Sequence, residues 1–303
     1  MSENLQRSRS ERKKRKRDEN TLPAKFLRSL RFLRFSRLTH ALSLPKVPPV
    51  MEEANVTTKA KKKIVMISGP SCVGKGPLLA ALKKFHPEIK FGQIPVIKSH
   101  GSRNNTPRPD EKDIWDDRDY FMPDSDFPNL DRNRYLVGDC RGFPQAIDLD
   151  RLLNANNSLL IMEVYYTIGA QFKNSPSVAA RLKGVDVQTI FVSPVAPDEL
   201  ASLGAAGINT DEYVFHLMVN KQVRRSEFMG QTMTKKGIAD IISRAKDAPH
   251  ELRALNDFTS SIVCREGEGS PLWNRNPRGV FRRRRRPAGD AALALAELVR
   301  LIK

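Results

Sequence analysis

Cysteine is scarce. The three in the 303-residue chain, Cys72, Cys140 and Cys264, are scattered and odd in number. They form neither a disulfide framework nor a zinc spacing, which suits a reducing compartment and an expected cytoplasmic location. Long apolar runs are also absent, and no stretch approaches the roughly 20 residues needed to cross a bilayer. No internal repeat is visible. Residues 1–20 have almost no apolar side chains, so they cannot offset the entropy of ordering and are expected to be disordered. Acids are missing from 24–43, where Phe26, Leu27, Leu30, Phe32, Leu33 and Phe35 alternate with arginines. That stretch admits three readings: a basic amphipathic helix at a membrane surface, a transit-like segment, or a tail upstream of a domain that starts near Met51.

The formal net charge of +18 is unevenly spread. Residues 1–63 hold 18 Lys and Arg against 6 acids, and Arg282–Arg286 add five adjacent arginines. The remainder is close to neutral, so the globular part is not itself a basic nucleic-acid binder. Nonspecific contact with nucleic acid or an acidic surface is left to the tails, including Arg12–Arg17 (RKKRKR).

One stretch organises the rest. Ile64–Ile67 is a short apolar run, followed by Gly69, Pro70, Ser71, Cys72, Val73, Gly74, Lys75 and Gly76, then Leu78, Leu79 and Leu82 at helical spacing. Strand, glycine loop and helix in that order make a phosphate cradle. Backbone N–H groups point inward, the lysine reaches terminal phosphates, and the helix N-terminus adds partial positive charge. The Ser or Thr that usually follows the lysine, and binds magnesium, is replaced by Gly76. Pro77 brings no N–H, but proline is tolerated in a first helical turn.

Beyond the loop the pattern alternates. Strands are expected over Ile94–Lys98, Leu159–Val164, Val185–Val192 and Ser260–Val263. Helices are expected to close near Leu152–Asn157 and to span Ala196–Leu203, Ile238–Leu255 and Ala288–Ile302. Such alternation predicts an α/β fold, a parallel sheet with helices on both faces.

The ordered set GPSCVGKG, TPRPDE with DYF, GDCRGFP, LIMEV before Gly169-Ala170, TIFVSPVAPDEL and RAKDAPHEL resembles the guanylate kinase family, over roughly Lys63 to the C-terminus. The resemblance implies a P-loop NTPase fold with a three-layer parallel sheet, a nucleoside-monophosphate-binding insertion at about 95–145 and a lid at about 204–238. A basic insertion at about 265–287 and an N-terminal extension over 1–62 would be added to it. It implies ATP, Mg2+ and a nucleoside monophosphate, GMP first, as reactants and cofactor. Lys75 would clamp phosphate, Arg244 would meet transition-state charge, and Glu163 would lie near magnesium. Ser102, Arg103, Arg108, Glu111, Tyr120 and Arg141 would contact the acceptor. Arg141 and Phe143 stand where the family has a tyrosine and then Ser or Thr, and 132–137 contains no carboxylate to read guanine. Alternatives are a kinase of another small phosphate acceptor, a catalytically silent nucleotide-binding domain that engages a protein, and a nucleic-acid-associated protein acting through its tails. Among lid cations, any of Arg224, Arg225, Lys235 and Lys236 could approach ATP, but each taken singly is expected on a solvated face.

Overall fold

The computed structural model describes residues 62–99, 119–282 and 285–303, all within the compact unit Thr58–Lys303. The N-terminal readings over 1–61, together with Ser102, Arg103, Arg108 and Glu111, lie outside the described residues, as does the side chain of Tyr120.

The first strand, β1 (Lys63–Ser68), is apolar without alternation because both of its faces are covered. It lies between β6 (Leu159–Glu163) and β7 (Asp186–Ser193), and β8 (Ser260–Val263) completes a four-stranded sheet in the order β6-β1-β7-β8. Every pairing in it is parallel. Val65 and Ile67 join one core with α1 (Lys75–Phe85), α6 (Thr210–Phe228), α7 (Lys235–Arg253) and α8 (Gly289–Ile302). Ile64 and Met66 point to the other core, shared with α2 (Leu149–Asn154), α3 (Tyr166–Asn174) and α4 (Pro176–Arg181). The result is the expected three-layer α/β arrangement, a parallel sheet flanked by helices.

A second sheet has the order β3-β2-β5-β4, built from β2 (Val96–Ser99), β3 (Asp119–Met122), β4 (Tyr135–Cys140) and β5 (Phe143–Asp148). Here β2 and β3 are parallel, while β5 runs antiparallel to β2 and β4. The helix α5 (Pro197–Ala205) follows β7.

Two expectations shift. The helix expected to close at Leu152–Asn157 ends at Asn154. Residues 204–238, the lid that the resemblance implies, contain the 19-residue α6, whose N-cap Asn209 accepts from the Asp211 and Glu212 N–H groups. Its Val214, Met218 and Val219 are core residues. Lys62, immediately before β1, and Lys63, its first residue, also have structural partners. Lys62 Nζ donates to the carbonyls of Leu152, Leu153 and Ala155 at 3.0, 2.5 and 2.7 Å, and Lys63 Nζ to those of Leu301 and Ile302 at 3.2 Å each. A cation at a helix C-terminus satisfies orphan carbonyls and offsets the dipole.

Among the described residues, no helix is long and apolar enough to cross a membrane. All three cysteines are free thiols, Cys72 and Cys264 buried and Cys140 partly exposed. Burial pushes Cys72 up to about 12 and Cys264 up to about 11, and raises Cys140 as well. Since the thiolate is the reactive form, titration of the native chain with a thiol reagent at neutral pH is expected to find one slow thiol, Cys140. All three should react after denaturation.

Candidate active site

The candidate site lies where β1 runs into α1. Ser68 ends the strand, and the chain turns through Gly69–Gly74 before Lys75 opens the helix. Two glycines are required by space as well as by angle. Gly69 has φ +135°, and a Cβ there would stand 2.2 Å from the Val192 carbonyl oxygen of β7. Gly74 has φ +120°, and its Cβ would meet the Glu266 carbonyl oxygen at 2.6 Å and Cys264 Sγ at 2.8 Å. Any side chain at either position would push the loop off its neighbours. Pro77 occupies the third position of α1, where a helix N–H has no intrahelical partner, so no bond of the helix is lost.

Lys75 folds back over the loop, its Nζ donating to Gly69 O at 2.5 Å and Pro70 O at 3.1 Å. Two further cations act on the loop through Cys72. The positive charges of Arg225, Arg244 and Lys75 all act on the Cys72 thiol, opposing burial and Glu268, which raise its pKa. Arg244, on α7, is paired within its own helix: Nε with Asp240 Oδ1 and Nη2 with Asp240 Oδ2, both at 2.9 Å. Arg225, on α6, bonds Glu268 Oε2 through Nε at 2.6 Å. The sequence expectation for Arg225, a solvated face, is therefore corrected: it belongs to the shell of the loop.

Glu163 ends β6 and sits in register with Ile67, one residue before β1 stops. This is the carboxyl end of the parallel strands, where open α/β sheets bind ligands. Among the described residues, no group of three or more His, Cys, Asp or Glu side chains is arranged to hold a metal by itself.

The tip of the β4–β5 hairpin carries Arg141, which has φ 60° and is followed by Gly142 at φ 79°. Positive φ at both central positions is the requirement of a tight I′ hairpin turn, where Asn or Gly is the usual first residue. An arginine in that place is strained, and its side chain supplies the compensation. Its Nε meets Asp247 Oδ2 at 2.5 Å, Nη2 donates to Glu251 Oε1 at 2.8 Å, and Nη1 donates to Ser71 Oγ at 3.3 Å. The guanidinium also lies 5.3 Å from the Tyr165 ring centroid. Burial opposes the Arg141 charge, but Glu251 leads the charges that raise its pKa overall. Glu251 is itself raised, because burial outweighs the pull of Arg141 and Lys75. One side chain thus ties the second sheet to the phosphate loop and to α7.

Asp247 and Glu251 were not foreseen as site residues. Their signal was present in RAKDAPHEL: Arg244, Asp247 and Glu251 fall at i, i+3 and i+7, one face of a helix. Of the acceptor set expected from the sequence, Arg141 is described with its side chain and Tyr120 only as a backbone position in β3. Phe143 pairs with Cys140 across the hairpin.

No protein-family model matches the chain. A guanylate kinase of Synechococcus sp. is 29% identical over 167 residues, covering 52% of this chain and 68% of that protein. One from Streptomyces kasugaensis is 25% identical over 207 residues, covering 66% and 89%. The solved guanylate kinase of Anaplasma phagocytophilum aligns over 68% of this chain and 78% of its own, at 14% identity and a TM-score of 0.38. The relationship to guanylate kinases is real at the level of sequence and divergent, and it supports a nucleotide-kinase-like function.

Proposed function

We propose that the protein is a guanylate-kinase-like phosphotransferase that moves the ATP γ-phosphoryl group to a nucleoside monophosphate, GMP in the first instance: GMP + ATP to GDP + ADP. The observation that carries this reading is the loop Gly69–Gly76, with Lys75 folded back across it and cationic side chains from two other helices around it. A pure scaffold has no need of that combination.

In this reading the bond from the γ-phosphorus to its bridging oxygen breaks as a bond to the acceptor phosphate oxygen forms, with little covalent work for the protein. Catalysis then rests on position and charge. Lys75 clamps β- and γ-phosphates, and Arg244, released from Asp240, meets charge on the transferring group. Glu163 would hold magnesium together with phosphate oxygens, and the metal supplies charge neutralisation there. Arg103, Arg108 and Tyr120, with Ser102, would grip the acceptor phosphate, planar guanidiniums suiting bidentate contact. Glu111 and Arg141 would stand nearer the acceptor base. The region 95–145 would carry the acceptor and 204–238 would serve as lid. Because α6 and α7 contribute Val214, Met218, Ala245 and Ala248 to the core, closure is confined to their connection and to the second sheet.

The test is ADP release by the full chain with magnesium-ATP, offering GMP, dGMP, AMP, CMP and UMP in turn. Turnover with GMP is the expected result. Turnover with another acceptor only would move the specificity to Arg141 and Phe143, since a pocket without hydrogen-bonding partners for guanine no longer discriminates for it. A second reading, nucleotide binding without transfer, is favoured by the engagement of Arg141 with Asp247 and Glu251. ATP binding with no turnover on any acceptor would establish it.

A further inference from the structure

The stretch after β8 was expected to be a basic insertion, yet its opening residues include Glu266 and Glu268 and are built against the phosphate loop. Trp273, fully buried, anchors it through Nε1, which donates to Gly267 O at 3.1 Å and Glu266 O at 3.4 Å. Lys221 of α6 anchors it from the other side, donating to Cys264 O at 3.2 Å and Arg265 O at 2.5 Å. Burial holds that amine down to about 8. Gly267 lies so close to the loop that a Cβ there would be 3.1 Å from Cys72 O, and the Glu268 N–H donates to that same oxygen at 3.3 Å.

These contacts fix Glu268 at the loop. Its Oε2 accepts from Arg225 Nε at 2.6 Å. Its Oε1 faces Gly76, 4.0 Å from where a Cβ would begin there, and apart from the adjoining residues and the helix's own backbone no other atom lies within that distance. Residue 76 is the position at which loops of this type carry a hydroxyl for magnesium. A bare carboxylate beside bound phosphates is repulsive, and it becomes favourable when a divalent cation stands between them. Arg225 offsets the charge from one side and orients the group. We propose that Glu268 supplies, from outside the loop, the oxygen ligand to the nucleotide-bound divalent cation that Gly76 cannot supply.

This inference rests on the proposed nucleotide-binding role of the loop. The experiment measures ADP affinity of the full chain by calorimetry, in excess Mg2+ and in EDTA. The variants are E268Q, which keeps an amide oxygen for Arg225, and G76S/E268Q, which restores a hydroxyl where the space is open. Magnesium is expected to tighten ADP binding to the unmodified chain, E268Q to lose about tenfold of that gain, and G76S/E268Q to recover part of it. The resonance of bound Mn2+-ADP should change between the unmodified chain and E268Q. Equal weakening of ADP by E268Q in Mg2+ and in EDTA would reduce Glu268 to a structural partner of Arg225 and overturn the inference. An unchanged magnesium response in E268Q would overturn it as well, leaving nucleotide binding in place. No ADP binding to the unmodified chain in either medium would overturn both.

Discussion

Replacing Lys75 by alanine is expected to lower phosphoryl transfer about 10³-fold while the fold survives. The side chain makes two bonds, to Gly69 O and Pro70 O, at a partly exposed loop mouth. Losing them costs the native state on the order of 1 kcal/mol, because water can replace the donor. The loss for bound phosphate is larger. The backbone N–H groups of the loop stay in place, so nucleotide affinity falls less than turnover does. In the proposed reaction the ammonium is the loop's own full positive charge beside the γ-phosphoryl group, and charge developing there would lose that compensation. Steady-state ADP release and calorimetric ADP binding, compared for the two proteins, check both halves. Turnover within a few-fold of the unmodified chain would remove Lys75 from the chemistry.

Replacing Arg141 by alanine is expected to cost about 3 kcal/mol, the lower end of the range for a broken buried ion pair. The Glu251 side chain is 1% exposed and the Arg141 side chain 22%. Truncation leaves the Glu251 carboxylate unpaired in a low-dielectric site already hostile to its charge, with Asp247 nearby adding to that. The melting temperature should fall by roughly 6–12 °C, given the size of the unit. Removing the orphaned charge should return much of the loss, so R141A/E251Q is expected to be more stable than R141A, a coupling a double-mutant cycle reads directly. Alanine keeps the Cβ, so the strained positive φ at residue 141 persists in the variant and offsets none of this loss. If R141A melts with the unmodified chain, the hairpin tip is not a tie between the second sheet and α7.

The phosphate loop and the parallel sheet were legible because their physics is local. A four-residue apolar run, Ile64–Ile67, followed by Ser68 and Gly69, then Gly74-Lys75 and leucines at helical spacing, leaves little choice of structure. The strand Ser260–Val263 was found at its observed bounds for the same reason. The β4–β5 hairpin was not legible: YLVGDC is half polar, and the turn carries Arg-Gly in place of a residue that favours positive φ. That departure from turn chemistry is accounted for by tertiary ion pairs, which no local pattern reveals. Helix α6 escaped because its inward face includes Lys221, Gln222 and Ser226, polar groups that obscure the apolar stripe. For the same reason Arg225 read as solvated. Its partner Glu268 lies 43 residues away. The stretch after β8 was dominated by its five arginines, and one buried tryptophan was too slight a signal against them.

The most direct measurement follows the label. The full chain is mixed with ATP carrying a radioactive γ-phosphoryl group, magnesium and GMP, and the products are separated. Label recovered in GDP, and absent from GDP with K75A, is the expected result. Label released only as inorganic phosphate, or left in ATP across all five monophosphates, would contradict phosphoryl transfer to a nucleoside monophosphate as the role of this site.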